Sequence, residues 1–382
     1  IIKGDQRIIV ELPPRHGKPC WVEDKVLMGD GSYKRLGDVE IGDLVVTHKG
    51  RPRKVLAVHD QGDLSCLKFT TGAWREVTVA TDHPFLTDKG WQKAQDIKIG
   101  DFLACKTPNL DQQSNKLPED FRLAGYFIGD GACGYNQGGS SVNANITCAD
   151  EEQLEDIQHC VDTLGFEMSY SVRYNYQLRA GVRDWLRETG LAGKGSHTKV
   201  VPDWVFTSPP ELASHFIGAY FACDGYIDRL GPQRTPTPGF SSVSKELLIG
   251  VQTLLLRLGI KSSLANSCSV GWRLNIGKAF EARKFAHLVP IFGVKKARLE
   301  SLLEEFFTNK NRINRDICPK LEDSGYIPDN VRQIGDAGTL PCRCLTVEED
   351  ETFTVNDLIV HNSELLSVFT PVWALDRIPW AK

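Results

Sequence analysis

The sequence predicts a mixed fold: an all-β horseshoe interrupted by an inserted, pseudo-symmetric α+β unit. Three observations lead there. From Cys20 to about Pro108, short β-branched segments alternate with glycine-bearing turns, as in an all-β fold. That stretch repeats itself at an offset of 58 residues, so that Leu36, Asp38, Ile41 and Gly42-Asp43 return as Ala94, Asp96, Ile99 and Gly100-Asp101. From about Leu117 to Pro319 the periodicity changes to alternating helices and strands, with a second repeat at an offset of 94.

Taken in order, residues 7–18 read as a buried strand running into a phosphate loop, and the run from Ser363 to Phe369 reads as the helix that should follow it. Each is half a unit, separated by the 343 residues from 20 to 362. Joined, they resemble the ATP-binding loop of phage terminase large subunits. That resemblance implies that Lys18, with Gly17, meets the phosphates of ATP in the joined chain and that Ser363 holds Mg²⁺. Leu12 stands where the general pattern has its first glycine, and Pro19 remains between Lys18 and Ser363 after joining.

At the two seams stand a lone nucleophile, Cys20, and the tripeptide His361-Asn362-Ser363. A cysteine can convert the peptide bond before it into a thioester, and an asparagine before a hydroxyl residue can attack its own carbonyl and cut the chain. Together they would excise everything between them. Within the β region the repeated Gly-Asp pairs are turn residues, to which no chemistry is assigned.

Cys20-Trp-Val-Glu-Asp-Lys-Val, Val77-Thr-Val-Ala-Thr-Asp-His83-Pro-Phe-Leu and the run from Phe353 to Asn362 resemble the sequence blocks of inteins, and the similarity covers residues 20–362. The resemblance implies the Hint horseshoe fold, with residues 1–19 and 363–382 as flanking extein. It implies that His83 protonates or polarises the first scissile amide. Cys20 would form a thioester with Pro19, Ser363 would take over the acyl group, Asn362 would cyclise with help from His361, and a final shift to the Ser363 amine would leave a peptide bond, with no cofactor. Ala80 replaces the threonine usual three places before the histidine, with Thr81 beside it. Glu351 stands where the family often has a histidine, and Cys344 where many members have an aspartate and one subclass has an acyl-carrying cysteine. A relay through Cys344 and a merely buried Cys344 thiol both stay open, as does the hydroxyl that assists His83. Pro19 is a crowded acyl group that restricts Lys18.

Inside the insert, Leu123-Ala-Gly-Tyr-Phe-Ile-Gly-Asp130-Gly131 and Phe216-Ile-Gly-Ala-Tyr-Phe-Ala-Cys-Asp224-Gly225 read as two helices, apolar on most sides, each ending in Asp-Gly. Leu154, Ile157, Leu164 and Gly165 return 94 residues later as Leu248, Val251, Leu258 and Gly259. Ala124, Gly125 and Gly129, with Gly218, Ala219 and Ala222, should let the helices touch and bring Asp130 beside Asp224. Adjacent carboxylates repel unless a divalent metal lies between them. These motifs resemble the LAGLIDADG homing endonucleases. The likeness implies that Asp130 and Asp224 bind Mg²⁺ and activate water for double-strand DNA cleavage, with Lys199 as the family's lysine and Lys295 as a weaker equivalent. Residues 171–179 read as one strand with Arg173, Asn175, Gln177 and Arg179 on one face; Arg273 and Asn275 repeat the pattern as exposed positions. Either a DNA groove or solvent accounts for those faces.

Composition sets the remaining bounds. A net charge of −4 argues against a chain-wide nucleic-acid tether, 11 irregularly spaced cysteines argue against a disulfide framework, and no apolar run approaches the ~20 residues of a membrane span. The expectation is a cytoplasmic monomer divided into a flank (1–19), a splicing region in two parts (20–110 and 321–362), an endonuclease (111–320) and a second flank (363–382). Its expected DNA target is a terminase gene lacking the insert. A free-standing DNA endonuclease with non-splicing β arms is the alternative.

Overall fold

The computed structural model describes residues 19–135, 141–179, 181–267, 271–308 and 318–361. Gly17, Lys18, Asn362, Ser363 and the rest of both flanks lie outside the described residues.

The β frame begins with β1 (Cys20–Trp21), β2 (Lys25–Leu27), β3 (Tyr33–Arg35), β4 (Leu44–Val46), β5 (Pro52–Thr71), β6 (Glu76–Ala80), β7 (Pro84–Thr87), β8 (Gly90–Lys93) and β9 (Phe102–Cys105). It resumes after the insert as β18, β19 and β20. These are Ile327–Val347, Thr352–Val355 and Leu358–His361. Its strands form one sheet in the order β3-β2-β19-β20-β7-β9-β18-β1-β6-β5-β4, with β8 on β7. Val77 and Val79 of β6, with all four residues of β19, are buried, as expected of strands covered on both faces. Two-residue turns set register here: Val355 pairs with Leu358 across Asn356-Asp357, both at positive φ (47° and 67°), a conformation that short polar residues tolerate best.

The 58-residue repeat is physical. The 3₁₀ turns Leu36–Asp38 and Ala94–Asp96 match, Gly42 and Gly100 share φ near +98° (99° and 97°), and Asp43 and Asp101 each accept the backbone N–H three residues before, from Glu40 and Lys98 at 2.9 Å. The repeated aspartates are turn locks, as the sequence suggested.

The insert consists of α1 (Pro118–Asp130), β10 (Gly131–Tyr135), β11 (Ser141–Thr147), α2 (Glu151–Thr163), β12 (Glu167–Tyr170), β13 (Asn175–Arg179), α3 (Val182–Glu188) and α4 (Asp203–Phe206) in its first half. The second half has α5 (Pro210–Asp224), β14 (Gly225–Leu230), β15 (Thr235–Ser242), α6 (Lys245–Arg257), β16 (Ser263–Ser267), β17 (Gly271–Asn275), α7 (Ala279–Leu288) and α8 (Val294–Thr308). A short α9 (Pro319–Asp323) leads back to the frame. Two four-stranded sheets, β10-β11-β13-β12 and β14-β15-β17-β16, have the same order. Even the helix caps repeat: Asp150 accepts from the Gln153 N–H and Ser244, 94 residues on, from the Leu247 N–H. The fold is therefore mixed, a β frame with a pseudo-symmetric α+β insert.

Two sequence expectations fail locally. Residues 171–179 are not one strand but the turn and second arm of a hairpin, because Arg173 and Tyr174 take positive φ (49° and 64°) and reverse the chain. Arg173 thus leaves the face shared by Asn175, Gln177 and Arg179. Gly218 is small for a different reason than helix contact: a Cβ there would lie 2.0 Å from the Pro290 carbonyl oxygen, on the side of the 289–290 segment.

Candidate functional site

Cys20 enters the sheet between β6 and β18, opposite Val79 and Arg343, and has no exposed surface. Its Sγ lies 3.8 Å from both ring nitrogens of His83, which is itself fully buried. Burial, and after it the nearby Asp24, Cys344 and Cys66, push the Cys20 thiol well above its ordinary pKa, so it rests protonated. Sequence reasoning missed two partners here. The Pro19 carbonyl oxygen accepts the Ala80 N–H at 3.1 Å, so a main-chain donor, invisible in a side-chain pattern, meets the acyl group before Cys20. Asp24, 7% exposed, accepts the Thr78 N–H at 2.7 Å and the Asn356 side-chain amide at 2.9 Å; burial pushes its carboxyl up to about 7.

Cys344 is fully buried on β18, beside the register partner of Cys20, and its Sγ donates to the Leu345 carbonyl at 3.6 Å. A second thiol pair stands close by, Cys66 and Cys342, with sulfurs 3.3 Å apart. Downstream, His361 ends β20 opposite Thr352, and its ring meets the edge of Trp91 at 4.8 Å between centroids. His48 is the further group the sequence did not flag: its Nδ1 is 2.8 Å from the Thr352 hydroxyl, and the charge of His361 is among those that hold its pKa below the ordinary value, after burial. Glu351 occupies a positive-φ turn (51°) just before β19.

In the insert, α1 and α5 lie side by side. A Cβ on Gly125 would be 2.5 Å from the Phe216 carbonyl oxygen, and one on Gly129 would be 2.3 Å from the Cys223 Cβ. Asp130 and Asp224 close the two helices, and each chain turns so sharply into its strand that a Cβ on Gly131 or Gly225 would strike the Phe127 or Phe221 carbonyl at 2.5 or 2.3 Å. Asp224 feels its neighbour: burial first, and Asp130 second, raise it to about 6. Lys199 and Lys295 are true counterparts. Lys199 Nζ donates to the carbonyls of Ile128 and Gly129 at the end of α1 (2.5 and 3.1 Å), and Lys295 Nζ to those of Ala222 and Cys223 at the end of α5 (2.8 and 2.6 Å). Burial lowers both lysines. Lys295 looked weaker in sequence only because it falls two residues beyond the 94-residue offset. The two carboxylates offer hard oxygen donors, a chemistry that fits Mg²⁺.

Arg273 and Asn275 are half-buried rather than exposed. Arg273 lies over the Tyr226 ring at 4.9 Å and 3.5 Å from Asp228, and Asn275 accepts the Tyr226 hydroxyl at 2.7 Å.

Residues 119–187 and 211–290 match the family described as LAGLIDADG-like domain, so the insert carries such a domain. RecA of Mycobacterium tuberculosis is 27% identical over 293 residues, covering 68% of this chain and 36% of that protein. The chain spans about a third of the length of these relatives, 36% for RecA and 29% for DnaB helicase of Rhodothermus marinus. Among solved structures, a DnaB intein from Synechocystis sp. PCC 6803 aligns over 91% of this chain and 99% of its own at 8% identity and a TM-score of 0.32. Mesophilic variants of the homing endonuclease I-DmoI align over 48% and 97% at 18% identity and a TM-score of 0.35. Among the described residues no helix is long and apolar enough to cross a membrane.

Proposed function

We propose that the chain is an intein that splices itself out and carries a DNA-cutting homing endonuclease. Excision would remove residues 20–362 and join Pro19 to Ser363. The observation that carries this reading is the buried corner where the Pro19 carbonyl rests on the Ala80 N–H and Cys20 Sγ meets His83 at 3.8 Å.

Cys20 Sγ attacks the Pro19 carbonyl carbon; the S–C bond forms and the C–N bond breaks. The Ala80 N–H stabilises negative charge growing on the oxygen, and His83 relays the thiol proton to the departing nitrogen. Because the thiol rests protonated, proton removal and attack occur together. Ser363 Oγ next attacks the thioester, forming an O–C bond and freeing the Cys20 sulfur. Asn362 Nδ2 then attacks its own carbonyl carbon, closing a succinimide and releasing the Ser363 amine, to which His361 supplies a proton. The amine finally takes the acyl group from its own oxygen. Direct transfer is the main route within this scheme, and a relay through Cys344 is the alternative.

For the nuclease, Asp130 and Asp224 would hold Mg²⁺, which when bound polarises the scissile phosphate and supplies hydroxide from water. Lys199 and Lys295 fix the two helix ends and place positive charge where anionic DNA approaches. The substrate in this reading is double-stranded DNA of an uninterrupted terminase-like gene, and the joined flanks form an ATP loop with Gly17 and Lys18.

Expression of the full chain tests the first activity. The expected products are ligated flank and an excised fragment of 343 residues, with ligation lost in Asn362→Ala. A chain that stays whole and is indifferent to Asn362→Ala refutes splicing. Mg²⁺-dependent linearisation of a plasmid bearing the uninterrupted gene, abolished by Asp130→Asn, tests the second.

A further inference from the structure

The two halves of the insert are copies, yet they treat the β frame differently. Helices α2 and α6 begin and end 94 residues apart. On α2, His159, Asp162 and Thr163 are exposed and Gln158 is half-buried; the same positions on α6 are Gln252, Thr253, Leu256 and Arg257, all buried. Each reaches the frame. Gln252 Nε2 donates to the Ala73 carbonyl at 2.8 Å, Leu256 joins the frame's apolar core, and the Arg257 guanidinium donates to the carbonyl of Gly31 beside the Tyr33 ring.

Thr253 makes the contact with most consequence. Its hydroxyl donates to Asp357 Oδ2 at 3.1 Å, and Asp357 is the second turn residue between β19 and β20, four positions before His361. The other carboxylate oxygen accepts the Tyr33 hydroxyl at 2.5 Å, and Arg75 Nε lies 3.6 Å from Oδ2. Positive φ at two successive residues costs strain that Asn and Asp bear better than other side chains but do not escape, so contacts from the surroundings hold the turn. Strand β20 has only four residues, so its register depends on that turn, and a slip would move His361 to the other face.

We propose that helix α6 of the insert is a working part of the splicing frame, and that Thr253, through Asp357, is a positioning residue for the downstream junction. This rests on the splicing reading above. The insert is then a brace for the hairpin that delivers His361, the residue before Asn362, in addition to its part in DNA cleavage. Removing the hydroxyl loosens the turn and lowers the fraction of time Asn362 spends poised to cyclise.

The test uses the full chain with both flanks. Thr253→Val keeps shape and removes one hydrogen bond to a charged group, and should slow release of the downstream flank about tenfold. Cleavage at Cys20 induced by an added thiol should be unchanged, Thr253→Ser should restore the rate, and His159→Ala, the counterpart on α2, should have no effect. Hydrogen exchange at the amides of 357–361 should quicken in Thr253→Val alone. Downstream release at the wild-type rate in Thr253→Val, or equal slowing of both junctions, overturns the proposal. If the wild-type chain does not splice, the splicing reading fails by itself. Exchange then decides the brace: faster exchange in Thr253→Val supports it and unchanged exchange overturns it.

Discussion

Replacing Gly125 by alanine should disable the nuclease while sparing splicing. The new methyl would sit 2.5 Å from the Phe216 carbonyl oxygen, 2.8 Å from the Ala219 Cβ and 3.0 Å from the Tyr220 nitrogen. Two of those three atoms are backbone of α5, so no side chain can swing away, and ordinary contact at 3.4 Å or more requires α1 and α5 to part by roughly 1 Å. Overpacking of this kind costs about 1–3 kcal/mol. The larger effect is geometric, because Asp130 and Asp224 are the last residues of those helices and a misplacement of about 1 Å in a catalytic constellation can lower the rate about 100-fold. Cleavage of a linear DNA carrying the uninterrupted gene, followed by gel at several Mg²⁺ concentrations, measures it. Splicing should proceed near the wild-type rate, since Cys20, His83 and His361 belong to the frame, and the frame's apolar core takes Leu256 of α6 from the insert but no residue of α1 or α5. Wild-type cleavage by Gly125→Ala with an unchanged melting temperature would refute the claim that helix contact sets the carboxylate spacing.

Other perturbations have equally definite outcomes. Asp24 titrates near 7 in the folded chain against an ordinary 3.8, so the folded state binds the extra proton; its stabilisation is full below about 3.8 and lost as pH rises through about 7. The full swing is about 4 kcal/mol, and urea midpoints of an Asn362→Ala chain should fall between pH 5 and 8 more steeply than those of the same chain with Asp24→Asn; parallel curves would refute the assignment. Lys199→Met and Lys295→Met should impair DNA cleavage alike, and an effect of Lys199→Met alone would contradict their equivalence at the helix ends. In a Ser363→Ala chain, mass spectrometry of peptides should find the thioester on Cys20; a thioester on Cys344 would establish the relay instead.

The two repeats were legible because comparing a sequence with itself needs no knowledge of tertiary contacts. Leu36 and Ala94, or Gly165 and Gly259 (φ 72° and 71°), occupy matching conformations because the same local pattern dictates them. What the sequence did not reveal falls into three physical kinds. Backbone donors leave no residue signature, and the Ala80 N–H on Pro19 is one. Turns closed by residues other than glycine or asparagine escape pattern reading, as Arg173 and Tyr174 did. Small residues report close approach without naming the neighbour: Gly125 faces α5, whereas Gly218 faces Pro290. Lys295 was underweighted for a fourth reason, since a two-residue difference between the halves is invisible to a fixed offset yet leaves the side chain on the equivalent carbonyls.

The distance between the two proposed splice junctions has a covalent origin. Cys20 pairs with Val79 on β6, and Val360, the neighbour of His361, pairs with Phe85 on β7. Phe85 lies six positions after Val79, so the two pairings can be at most about 20 Å apart even with the link extended. The link is not extended: the His83 N–H returns to the Ala80 carbonyl at 3.0 Å and closes a turn. The same turn aims the His83 ring at Cys20 Sγ and presents the Ala80 N–H to Pro19. One segment, 80–83, therefore supplies the ring beside Cys20, the N–H on the Pro19 carbonyl and the spacing between Cys20 and His361, which lie 341 positions apart in sequence. Lengthening it by one residue would move His83 and the downstream hairpin together, so both chemical steps should fail at once. Thr253→Val should instead impair only the second, and that contrast separates the register of the frame from the brace supplied by the insert.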